Sequence, residues 1–292
     1  MNSRRIFLQQ AGLMAAGLFI APKLISCTSP KTSKNIGLQL YTLRNEIGSD
    51  VPGVIAKVAA AGYTQVETYG YSKKDLFWGM EPKAFKDLLS SNGLTSPSGH
   101  YDFNDYFTSG SEEQLLAYIE AANVLEQTYI TAPYLEEHLR KTADDYKSIA
   151  AKLNKAAETC RKNGLKLAYH NHDFEFQDMG GTTGYQILLN ETDPSLVQLE
   201  ADLYWIVRAG LDPVELFEKY QGRFVMWHVK DMDKADKTLN TEVGNGSIDF
   251  KRIFDEIQAA GTEYIFVEQE NFSIDPFQSI TSSCNYVKEN LL

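Results

Sequence analysis

"YKSIAAKLNKAAETCRKNGLKLAYHNHDFEF", residues 146–176, is the stretch whose reading decides the fold. Up to Cys160 its apolar residues recur at spacings of three and four, the pattern of an amphipathic helix. Gly164 follows as a residue suited to the left-handed conformation that closes a last helical turn. Residues 165–172 then alternate apolar and polar and read as a strand. That strand ends abruptly in His170, Asn171, His172, Asp173 and Glu175, which are not side chains for building a core.

The same order recurs outward in both directions. Strands are expected at "IGLQLYT" (36–42), "TQVETYG" (64–70), "LTSPSGHY" (94–101), "QTYITAPY" (127–134), "LKLAYHNH" (165–172), "VQLEADLY" (197–204), "RFVMWHVKD" (223–231) and "EYIFVEQE" (263–270). Helical segments lie between them, and Gly62, Gly93, Gly164 and Gly261 each stand between a helix and the strand that follows. Eight strand–helix units in this length predict an α/β fold, the closed (β/α)8 TIM barrel, as one domain over residues 35–292. A doubly wound open sheet is disfavoured, because "LYTLRNEIG" and not a glycine-rich phosphate turn follows the first strand. "GNG" at 244–246 reads as a turn before a helix starting near Asp249 or, alternatively, as a loop folding over substrate.

Residues 1–27 read as an export signal, with Arg4 and Arg5 in a twin-arginine pattern, a short apolar run and "LISC" as a lipoprotein-type cleavage box. Lipidation of Cys27 would hold the protein to a membrane surface, with residues 28–34 as tether and the periplasm or cell envelope as location. Losing residues 1–27 removes Arg4, Arg5 and Lys23 and no acid, so the net charge falls from −11 to −14. That acidity excludes a nucleic-acid backbone as partner. The remaining cysteines, Cys160 and Cys284, are too few for a disulfide framework and are expected as free thiols.

In such barrels the active site lies at the carboxyl ends of the strands. Four of the five histidines fall there: His100, His170, His172 and His228, with His138 apart. Carboxylates accompany them: Glu67, Asp102, Asp202, Asp231, Glu268 and Glu270. Buried imidazoles and carboxylates cost several kcal/mol each unless paired, hydrogen-bonded or bound to metal. His170, Asp202, His228 and Glu268, on four consecutive strands, are the expected ligands of a divalent ion. A mixed nitrogen and oxygen set suits manganese, cobalt, zinc or iron better than calcium. His172 is the rival ligand on the fifth strand, and Glu175 is a carboxylate just beyond it.

The motifs "AYHNHDFEF", "LEADLYW", "MWHVKDMD", "EVGNGSIDF" and "YIFVEQE", in this order, resemble the sugar phosphate isomerase/epimerase family of xylose-isomerase-like barrels. The resemblance covers essentially the whole chain after the signal. It implies a metal held by a carboxylate of strand five, an aspartate of strand six, a histidine of strand seven and a glutamate of strand eight. Asp202, His228 and Glu268 match by type, whereas His170 replaces the strand-five glutamate, which in ketose epimerases is both ligand and base. Trp205 stands where those epimerases place a substrate-binding histidine.

A divalent ion on adjacent oxygens of a hydroxy-ketone stabilises an enediolate. Glu268 is expected as ligand and base, with His170 as ligand able to move a proton, and Lys230 at an enolate oxygen. Glu67, His100, His172, Glu175 and Trp205 are expected to contact the sugar. The expected activity is a metal-dependent sugar isomerase or epimerase, and the export signal favours an unphosphorylated carbohydrate. A 3-keto-glycoside lyase or hydratase using the same metal is one rival, and a non-catalytic sugar-binding lipoprotein is another. An oligomer is compatible with the sequence.

Overall fold

The computed structural model describes residues 35–292. The expected signal at 1–27 and tether at 28–34 lie outside the described residues. Eight parallel strands close a barrel: β1 (Gly37–Gln39), β2 (Gln65–Tyr69), β3 (Thr95–His100), β4 (Tyr129–Ala132), β5 (Lys166–His170), β6 (Val197–Asp202), β7 (Met226–Val229) and β10 (Tyr264–Val267). Between the last two, β8 (Asp231–Met232) and β9 (Asn240–Thr241) pair as a small antiparallel ribbon that the alternation pattern did not reveal. The barrel runs β1-β10-β7-β6-β5-β4-β3-β2, each strand hydrogen-bonded to both neighbours. Closure leaves no sheet edge exposed.

Every expected strand is present, and each is shorter than its apolar run. The reason shows in β6: Asp202 ends the strand and its carboxylate accepts the Trp205 N–H, capping the helix Leu203–Arg208 that starts at once. Strand ends at this face are thus spent on turning the chain. The helix over residues 143–162 carries a Thr142–Asp145 capping box and buries Tyr146, Ile149, Leu153 and Cys160. Gly164 follows with φ +82°, a conformation that only glycine adopts readily. Cys160 and Cys284 are free and buried.

Two packed layers result. A large apolar cluster fills the space between barrel and helices. A small one, of Tyr129, Ala168, Val225, Met226 and Phe266, plugs the amino-terminal part of the barrel interior. A Cβ on Gly37 would stand 2.2 Å from the Phe266 ring, so glycine there is what lets the plug seat. Side chains two residues further along the same strands point the same way. In this fold they are His170, His228 and Glu268, and they begin the site.

Candidate metal centre and active-site cavity

His170 is buried at the end of β5. Its Nδ1 lies 3.2 Å from the Pro133 carbonyl. A carbonyl only accepts, so Nδ1 carries the proton and Nε2 presents a lone pair. Nε2 has no hydrogen-bond partner and sits 3.5 Å from Asp202 Oδ2, which is also buried and unpartnered. Asp202 divides its carboxylate: Oδ1 caps a helix, while Oδ2 faces the histidines.

His228, on β7 directly opposite Asp202 in register, uses both ring nitrogens. Nε2 lies 2.7 Å from Glu67 Oε2, and Nδ1 lies 3.0 Å from Glu268 Oε2. Lys230 approaches Glu268 Oε2 at 3.2 Å and also pairs with Glu270. One donor atom from each of His170, Asp202, His228 and Glu268 lies within 4.8 Å of the other three. Two unpartnered buried polar atoms in a set of two imidazoles and two carboxylates are the expected signature of a divalent-cation site. The residues therefore fit the group.

Local electrostatics agree with a charged, water-poor site. Burial opposes the imidazolium of His228, but Glu200 and Glu268 outweigh it and hold its pKa well above the ordinary histidine value. Burial opposes ionisation of Glu268, yet Lys230 and His228 hold its carboxyl well below the usual range. Lys230 is likewise opposed by burial and raised by Glu268, Asp202 and Glu270, so it stays a cation. His172 is pushed well below the ordinary value by burial first and then by His170 and Lys230, and it stays neutral.

A second group lies just beneath. Glu67, His100, Glu200 and His228 also bring their donor atoms within 4.8 Å of one another. His100 Nε2 is 2.7 Å from Glu200 and 3.2 Å from Glu67. Gln39 and Ser98 donate to Glu67 at 2.7 and 2.6 Å. Glu200, Gln39 and Ser98 went unread in the sequence. Glu200 carried a usable signal, since it is two residues before Asp202 and so on the same face of β6.

Above both groups opens a cavity of about 650 Å3. His100, His170, His172, Trp205, Lys230 and Glu268 reach its wall. Glu67 does not. It is fully buried below, accepting from His228 and His100, and its expected contact with sugar hydroxyls is replaced by this supporting position. Glu175 also stays away from the cavity. It is fully buried, accepting from Tyr169 Oη at 2.6 Å and from the His172 N–H at 2.9 Å, and so braces the turn after β5. Burial pushes its pKa up to about 7. His170 and not His172 belongs to the four-residue group, and His172 stacks on Phe174 at the cavity side. Trp205 lies 5.4 Å from the His172 ring, with Lys230 Nζ 5.1 Å from its own. "GNG" is a turn: Asp231 accepts the N–H groups of Gly244 and Gly246 at 2.9 and 3.0 Å and that of Ile248 at 3.2 Å.

Comparison with known proteins adds to this geometry. The family model for the xylose isomerase-like TIM barrel matches residues 55–290. An inosose dehydratase of Lacticaseibacillus casei is 27% identical over 282 residues, covering 83% of this chain and 91% of the relative. The crystal structure of a sugar phosphate isomerase/epimerase from Parabacteroides distasonis superposes with a TM-score of 0.78 at 27% identity, over 90% of this chain and 96% of that one. The IOLI protein with a binding zinc atom shares the fold, with a TM-score of 0.67 at 14% identity over 87% of this chain and 97% of that one.

Proposed function

This chain belongs to the xylose isomerase-like TIM barrel family, and from that premise we propose that it is a metal-dependent enzyme that removes the proton alpha to a sugar carbonyl and then expels a β-oxygen substituent. The observation that carries the reading is His170 in the four-residue group, where the resemblance leads one to expect a glutamate. Epimerisation needs two bases on opposite faces of one carbon, whereas elimination needs one base and one acid.

His170, Asp202, His228 and Glu268 would hold a divalent ion, which would supply Lewis acidity toward a sugar carbonyl. The chain's own groups move the protons. Glu268, held ionised, accepts the proton from the alpha carbon, and the C–H electron pair becomes the double bond of an enediolate. That pair then forms the new carbon–carbon double bond as the β C–O bond breaks. The departing oxygen takes the electron pair of that bond and the proton that Glu268 accepted, while the Lys230 ammonium keeps its charge beside the enediolate oxygen. The products are an unsaturated ketone and water or an alcohol. His170 Nδ1 donates to Pro133 and keeps its Nε2 lone pair directed at the ligand group. Loss of water is also the reaction class in the name of the Lacticaseibacillus relative.

Isomerisation or epimerisation through the same enediolate is the second reading. It is favoured by the Parabacteroides neighbour. Incubating the metal-loaded protein with a keto-glycoside in heavy water decides between them. Elimination releases the aglycone. Deuterium incorporation with the glycosidic bond intact overturns the lyase reading and supports the epimerase. Export through residues 1–27, with a lipid on Cys27, remains part of this proposal. Fractionation of cells expressing the full chain checks it, and recovery of uncleaved protein in the cytoplasm speaks against it.

A further inference from the structure

We infer that the cavity contains a second subsite, on the opposite wall from the ligand group, that takes the second ring of a neutral, unphosphorylated glycoside. The inference rests on the reading of the site as an enediolate-forming sugar enzyme and names the class of sugar it accepts.

The ligand group occupies the ends of β5, β6, β7 and β10, one half of the closed ring. The other half contributes a separate wall from the segments after β2 and β3 and from the helix Glu113–Val124: Tyr69, Tyr71, Asp102, Asp105, Gln114 and Tyr118. At about 650 Å3 the cavity is several times the volume of one pyranose ring, and well inside the range of pockets that bury multi-ring ligands. A monosaccharide held at the metal leaves this wall without a ligand.

The wall is fixed in place. Tyr118 Oη donates to the Asp102 carbonyl at 3.0 Å and accepts from Gln114 at 3.1 Å. Its ring packs against Tyr101 with centroids 4.9 Å apart. The segment after β2 is pinned by bridges between Ser72 and Leu76 and between Phe77 and Met80. Leu76 and Trp78 in it are left-handed, with φ +55° and +50°, although neither is glycine. Such backbone persists only where its surroundings over-determine it, and it concentrates at ligand-binding places. Here it sets Trp78 edge-on against Tyr69 at 5.2 Å and Phe77 beneath Tyr71 at 4.7 Å. Tyrosine side chains with amide and carboxylate groups among them suit a pyranose, which offers C–H faces and a rim of hydroxyls.

Charge selects against phosphate. Among the described residues Lys230 is the one lysine or arginine on the cavity wall, and Glu268 and Glu270 already hold it. The second wall carries Asp102 and Asp105 and no lysine or arginine. An anionic ring there would meet two carboxylates without a counter-charge.

Calorimetry on the full chain loaded with Mn2+ tests the inference, with a panel of glucosyl disaccharides, methyl glucoside and a hexose phosphate as probes. At least one disaccharide is expected to bind about tenfold or more tightly than methyl glucoside, with the hexose phosphate no tighter. Asp105→Ala, at an exposed position, and Gln114→Ala, which also releases the Tyr118 hydroxyl, should each remove most of the disaccharide advantage and leave methyl glucoside affinity unchanged, with circular dichroism and the unfolding midpoint checking that the fold is kept. Equal affinity for disaccharides and methyl glucoside, no measurable disaccharide binding, or preference for the phosphate overturns the subsite. If a chelator leaves all sugar affinities unchanged, the metal-dependent reading falls while the disaccharide advantage still stands for the subsite. If chelation abolishes binding that shows no such advantage, the subsite alone falls.

Discussion

The two layers of the barrel interior, a single side-chain pair apart, could hardly differ more. The lower one holds Tyr129, Ala168, Met226 and Phe266, an apolar plug that excludes water. The upper one holds Glu67, His100, Glu200 and His228, and above them His170, Asp202 and Glu268, all buried or nearly so. His228 meets the lower layer directly, its ring 6.3 Å from that of Phe266. The lower layer gains stability by burying apolar surface, at roughly 25 cal/mol per Å2. The upper layer gives up stability to gather charges that only partners or a cation can offset. Evolved barrels can carry such a layer because the apolar one beneath it keeps the cylinder closed.

Substitutions in the two layers should therefore separate function from stability. The largest effect is expected from His228→Ala, which removes a ligand shared by both polar groups: metal content measured by elemental analysis should drop, and activity should fall ~10^4-fold. Retention of both would break the comparison from above. Phe266→Ala should do the reverse, destabilising the fold by about 3–5 kcal/mol in urea unfolding while metal stoichiometry stays the same. A pH effect comes next. Glu175 has a folded pKa of about 7, raised from 4.5, so its contribution to stability is present below about 4.5 and is lost as pH rises through about 7. Glu175→Gln matches the side chain in size and keeps an oxygen acceptor for the His172 N–H. It should flatten the stability profile of the metal-free protein by on the order of 3 kcal/mol across that window. Identical slopes for variant and parent would show that Glu175 ionises normally. The smallest effect sharpens the upper layer itself. Glu67→Gln, which weakens the carboxylate that fixes the His228 ring, should lower metal affinity ~10–100-fold by competition with a chromogenic chelator, with the unfolding midpoint of the metal-free protein little changed.

How much of this could be read from residues alone follows the same division. The helix–glycine–strand units are local, so Gly62, Gly93, Gly164 and Gly261 marked the barrel correctly, each with positive φ. The four residues His170, Asp202, His228 and Glu268 stood out because they interrupt apolar runs at strand ends, and the fold brings them together. Glu200 was hidden within its run, as a polar residue facing the interior one pair below the rim. Gln39 and Ser98 reach the site through Glu67, a contact between strands that no spacing along the chain encodes. Glu175 looked like a wall residue because loops usually face solvent, whereas a short 3-10 turn at Phe174–Phe176 tucks it inward. The ribbon of β8 and β9 was missed because two-residue strands have no period to detect.

Asp202 serves two structures with one carboxylate. One oxygen holds the first turn of the helix that carries Trp205, and the other faces His170. A load on the second oxygen would bear on the start of that helix through the same carboxylate. On the proposed reading, cation uptake and the grip on the sugar would be coupled through this single side chain, and by linkage each would change the affinity for the other by the same factor.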